Sequence, residues 1–267
     1  RLPDLSGGMR TWLALAWVVV KELYRRKDFY VLFVLTALIT LLSGSVTFFE
    51  DTRMVRYLRE VTLLLIWVAA LVIAVVTAAR QIPAERESRT IFPLLAKPVT
   101  RGQVVLGKFF GVWLATGLAL VMFYGFYLLV GVWQAAPGSL ALGLQALWLH
   151  WVMLAVVIAM AILGSLLFSA PSVNSTVCLV VVGGILLVAG HLNTLAAAQP
   201  GWAGSLLYGL YFALPHLELF DVRDLMIHEH APVAVGPFLV ATLYAAVYAA
   251  LLLLVAWWVF RRKALST

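Results

Sequence analysis

Long uncharged stretches alternate with short charged ones along the 267 residues, and the length of each apolar stretch limits what it can be. A helix rises about 1.5 Å per residue and the hydrocarbon of a bilayer is about 30 Å thick, so about 20 apolar residues make one crossing. Six stretches reach or approach that length, at about 29–49, 61–79, 109–132, 148–168, 175–190 and 238–260. Residues 11–27 differ: an apolar start with Trp12 and Trp17 gives way to Lys21, Glu22, Arg25 and Arg26. Its uncharged part spans roughly half the hydrocarbon, which predicts an amphipathic elbow helix lying at the interface rather than crossing it. Residues 1–10 read as a lead-in. Residues 11–267 read as a single transmembrane domain of an all-α polytopic membrane protein.

The charged stretches between crossings set the expected topology. The segment 80–108 carries Arg80, Arg86, Arg89, Lys97, Arg101 and Lys108 against Glu85 and Glu87, and Arg261, Arg262 and Lys263 follow the last crossing. Placing both regions and both termini in the cytoplasm puts fifteen of the nineteen basic residues inside, as the positive-inside rule requires. Arg53, Arg56, Arg59 and Arg223 then lie outside. Residues 133–147, with Pro137 and Gly138, read as an uncharged external loop. Residues 191–237, rich in acids and aromatics, read as an external segment of short interfacial helices. Between them, 169–174 reads as a cytoplasmic turn with Asn174 as an N-cap candidate.

Composition narrows the class further. Hydrophobic residues make up 64% of the chain, charged residues 12%, and mean hydropathy is +1.01, which excludes an ordinary soluble domain. The net charge of +7 is accounted for by basic residues flanking the crossings, so topology and anionic head groups explain it and no nucleic-acid partner is expected. The single Cys178 lies in an apolar run and reads as a packing residue.

Candidate chemistry is sparse. Gly102–Lys108, GQVVLGK, fits part of a phosphate-binding loop, but Phe109 stands where a magnesium-holding hydroxyl belongs and no buried strand precedes it. Lys108 therefore reads as an interfacial anchor. His228 and His230 flank Glu229, a pattern that lacks the spacing of a zinc protease motif, and no metal site is expected. No catalytic residue is assigned. The six expected crossings contain no Asp, Glu, Lys or Arg, which leaves no visible carrier for coupling to an ion gradient. Energy for transport is then expected from another chain. Gly107, Gly111, Ala115 and Ala119 recur every four residues and predict a small-residue face for close helix packing.

The central segment resembles that of the ABC-2 type permeases, the membrane subunits of ATP-binding-cassette exporters. The similar positions are Glu85, Glu87, Thr90, Leu94, Leu95, Pro98, Arg101, Leu106, Gly107 and Lys108; Arg89 stands where many members have glycine. Lys21 and Glu22 ahead of Arg25 and Arg26 look like that family's elbow helix, and Leu214 and Pro215 before Phe220 look like its external segment. The resemblance implies a type V exporter-like permease of six helices after an elbow helix, paired with a second permease copy or homologue and with separate ABC ATPase subunits. It implies that Glu85, Arg86, Glu87, Ser88, Arg89 and Thr90 form the coupling helix that docks on the ATPase. ATP and magnesium would belong to that partner, with no cofactor in this chain. A bacterial plasma membrane, the inner one in a Gram-negative cell, is the implied location.

Two other classes fit parts of the pattern. One is a membrane anchor that recruits a cytoplasmic partner without moving a substrate. The other is an intramembrane enzyme using His191, Asn193 and the histidines from His216 to His230, against which stands the lack of paired acids.

Overall fold

The computed structural model describes residues 52–83, 100–133, 139–199, 201–228 and 230–262, together with 34, 36–38, 40 and 41. The last six are helical positions within the first expected crossing, where the Thr40 hydroxyl donates to the Thr36 carbonyl at 2.7 Å. The lead-in, the elbow residues Lys21, Glu22, Arg25 and Arg26, and the whole stretch from Glu85 to Thr90 lie outside the described residues.

The described chain forms α1 (Thr52–Arg80), α2 (Arg101–Trp133), α3 (Leu140–Leu167), α4 (Pro171–Ala198), α5 (Trp202–Ala213), a 310 turn (Leu217–Phe220), α6 (Arg223–Ile227) and α7 (Val235–Arg262), with no strand among the described residues. Among the described residues five helices are long and apolar enough to cross a membrane, at Arg56–Arg80, Arg101–Val132, Leu140–Leu167, Pro171–Val188 and Val235–Arg262. Short helices fill the stretch between α4 and α7.

α3 sits at the centre, packed on α1, α2, α4 and α7. Every residue from Val152 to Ala159 is buried, so this helix is apolar all round because it meets protein all round. By contrast only 22% of the spanning stretches of α4 and α7 is buried, against 72% for α3, so these two helices form the rim.

Several elements begin or end away from the expected positions, each for a local reason. α2 starts at Arg101, two turns ahead of the expected Phe109. Thr100 and Gln103 form a reciprocal capping box there: the Thr100 N–H donates to Gln103 Oε1 at 2.8 Å, and the Gln103 N–H donates to Thr100 Oγ1 at 3.3 Å. Much of the expected external loop 133–147 is helical instead, because Ser139 caps α3 through its hydroxyl, which accepts from the Leu142 N–H. The expected turn 169–174 closes by Ala170. Asn174 is not an N-cap: Ala170 occupies that position, Pro171 stands in the first turn, and Asn174 reaches back to α3. α4 continues past Gly190 to Ala198 because His191–Ala198 carries no breaker, and α1 already includes the charged residues from Arg53 to Glu60 in its first turns. Gly201, at φ 82°, then turns the chain, and Gly204 lies so close to the Gln199 carbonyl that a Cβ would be 2.2 Å away.

Candidate functional site

Two regions gather polar groups in this apolar bundle, one at each end. At the Arg101 end lie the end of α1 and the start of α2, which flank residues 84–99 in the sequence, and both helix ends are pinned. At the end of α1, Gln81 and Ile82 are buried, and the Gln81 amide donates to the Thr77 carbonyl at 3.2 Å. At the start of α2, Arg101 donates from Nη1 to the carbonyls of Phe260 and Arg261 at 2.7 and 3.0 Å, with its guanidinium 5.5 Å above the Phe260 ring. Those carbonyls belong to the last turn of α7, at the negative end of its dipole, so a cation fits there. The same arginine thus fastens the start of α2 to the end of α7.

Gly102–Lys108 is helical, with Val104 and Val105 buried, so this tract forms no phosphate-cradling loop. Lys108, expected as an interfacial anchor, is buried about two turns into α2 instead. Gly107, Gly111, Ala115 and Ala119 lie on one face of α2, and all four are buried.

At the opposite end, the 310 turn and α6 cap the bundle over α1, α3 and α4. Leu217 and Phe220 are buried and seat the cap. At the start of α6, Arg223 donates bidentately to Asp221, from Nε to Oδ1 at 2.8 Å and from Nη2 to Oδ2 at 2.6 Å. The guanidinium carbon lies 5.0 Å from the centroid of the Trp67 ring on α1. Burial pushes the Asp221 carboxyl up, but hydrogen bonds and charge from Arg223 outweigh it and hold it below the ordinary carboxylate range. The Asp221 carboxylate in turn raises the Arg223 guanidinium, so both remain charged. Beneath the pair, Trp67 stacks on His150 of α3 at 5.7 Å, and His150 Nδ1 lies 3.4 Å from the Tyr124 hydroxyl of α2. Among the described residues neither Trp67 Nε1 nor His150 Nε2, both buried, has a hydrogen-bond partner, which leaves two polar groups below an ion pair.

Further side-chain hydrogen bonds fix that end. Gln145 of α3 clamps Val233 just ahead of α7, donating from Nε2 at 2.9 Å and accepting at Oε1 at 2.8 Å. Tyr244 of α7 meets His216 through its backbone N–H at 3.0 Å and through Nδ1 at 3.2 Å, and the Tyr248 hydroxyl donates to the Ala213 carbonyl at 2.6 Å. His228 lies 3.1 Å from an Asp224 carboxylate oxygen and stacks on His230, while His191 is exposed on α4. Among the described residues no group of three side chains gathers in a metal-binding arrangement.

Sequence reasoning missed the residues that matter most here. The capping box was readable as T-x-x-Q at Thr100–Gln103. His150 was visible as a histidine alone in an apolar run. Arg223 contacting Trp67 had no local signal, since the two are far apart in the chain.

The family model described as ABC-2 family transporter protein matches residues 8–265, nearly the whole chain. No curated protein matches it.

Proposed function

This chain belongs to the ABC-2 family of transporter proteins, and we propose on that footing that it is an exporting permease, driven by a separate ATPase that docks at Glu85–Thr90. It is a multi-pass membrane protein and a permease subunit of an ABC transporter. The observation that carries the coupling reading is the pinning of the two helix ends that flank the segment 84–99 in the sequence. A push on that segment acts on α1 through the buried Gln81 and Ile82, and on α2 and α7 together through Arg101. Movement at a docked partner then has a rigid route into the three helices around α3 rather than dissipating in a loose loop. The charges of Glu85–Thr90 give that contact its orientation.

In this reading the Arg101 end faces the cytoplasm with both termini, the segment 80–108 is the coupling region, and the cap over Trp67 faces outward, as the basic-residue distribution favours. Residues 29–49 supply the sixth crossing. A second permease copy or homologue completes the translocation path.

The test uses cysteine chemistry in a Cys178→Ala background. Ser88→Cys is expected to crosslink to the ABC ATPase in the assembled transporter and to resist an impermeant reagent in intact cells. Labelling of Ser88→Cys from outside, with Leu219→Cys protected, would overturn the orientation and the docking together.

A further inference from the structure

A groove of about 720 Å³ runs along the side of the bundle between α2, α3 and α7. Its floor on α7 is made of small residues, including the exposed Ala246 and Ala250, and its walls include Phe110, Trp148 and Trp257. From Thr242 to Trp257 it follows α7 for about 22 Å, more than half the thickness of the hydrocarbon. The Arg101 end is the polar one. Trp257 packs against the start of α2, where a Cβ on Gly102 would lie 3.3 Å from its ring. Immediately beyond, the exposed Arg261 lies over Trp257 at 5.8 Å, and the exposed Arg262 lies over Trp258 at 3.8 Å.

We propose that this groove holds an acyl chain of an anionic phospholipid, with its head group at Arg261 and Arg262. An apolar channel open along its side suits a hydrocarbon chain. Tryptophans at its charged end mark the head-group level, and adjacent arginines there attract a negative head group. A second copy of the chain is a poorer occupant, because a twofold contact at this end would bring Arg261 and Arg262 towards their own counterparts. The assignment needs the chain to sit in a bilayer and is independent of how the ATPase docks.

The experiment is native mass spectrometry of the purified full chain, equilibrated in detergent with equal amounts of dioleoyl phosphatidylglycerol and dioleoyl phosphatidylcholine. The wild type is expected to retain phosphatidylglycerol preferentially. In Arg261→Gln/Arg262→Gln that preference falls about fivefold per arginine while chain binding persists. In Ala246→Phe/Ala250→Phe, whose new rings face the open groove, both lipids are lost with the melting temperature unchanged. Equal retention of the two lipids by the wild type, or an unaltered preference in the arginine variant, overturns the proposal. Conversion of a dimer to a monomer by the phenylalanine variant would assign the groove to a second copy and overturn it as well.

Discussion

Trp113 and Trp151 each donate an indole N–H to the other's backbone carbonyl, at 2.9 and 2.8 Å, with ring centroids 4.4 Å apart. The pair joins α2 to the central α3 through two hydrogen bonds that lipid cannot compete for. Gly117 makes room for it: a Cβ there would lie 2.5 Å from Trp151 Nε1. Gly117→Ala is expected to destabilise the protein by about 1–3 kcal/mol through overpacking, read as a lower melting temperature in detergent. Trp151→Phe, which keeps an aromatic ring but loses the indole N–H and part of the ring volume, is expected to cost about 1–3 kcal/mol. Equal stability of Gly117→Ala and wild type would mean that the two helices do not approach this closely.

The α3–α4 turn rests on a similar fit. A Cβ on Gly164 would stand 2.1 Å from Asn174 Oδ1, and Asn174 Nδ2 donates to the Ala161 carbonyl at 2.9 Å. Asn174→Ala is expected to cost about 0.6–2 kcal/mol, the range for a buried bond between membrane helices. Gly164→Ala is expected to cost more in the wild type than in the Asn174→Ala background, because removing the amide removes the obstruction. A thermal double-mutant cycle measures that coupling, and strict additivity would contradict the contact.

Much of this architecture was legible in the chain, and the reasons for the remainder are physical. Apolar runs located the spans because a bilayer demands about 20 uncharged residues per helix, a constraint that tertiary packing cannot relax. Helix ends were less legible, because hydropathy reports where lipid begins while caps decide where the helix begins; Thr100–Gln103 and Ser139 lie outside the apolar runs they initiate. The small-residue face of α2 was visible as a period of four. Gly117, in the same helix but off that series, makes the close approach to Trp151 because of a side chain on another helix. The Arg223–Trp67 contact depends on the cap folding back over the bundle, which no local pattern encodes.

The Asp221–Arg223 pair has a defined pH dependence. Its folded carboxyl lies below the ordinary value of about 3.9, so the pairing stabilises the cap fully above that value and is lost as pH falls through the lowered folded one. Both side chains are partly exposed, so the effect is about 1 kcal/mol or less. Wild type is expected to melt above Asp221→Asn at pH 7, with the gap narrowing below pH 4. A gap that widens on acidification would contradict the pairing.

The most direct test of the coupling claim is ATP turnover by the complete transporter carrying Glu85→Lys/Glu87→Lys. Reversing two charges at a docked interface costs several kcal/mol, so recruitment and turnover of the ATPase are expected to fall at least tenfold. Because α1, α2 and their anchors at Gln81 and Arg101 are untouched, insertion and the melting temperature of the isolated chain are expected to hold. Wild-type recruitment and turnover in the doubly reversed variant would contradict the assignment of Glu85–Thr90 as the site where the ATPase acts.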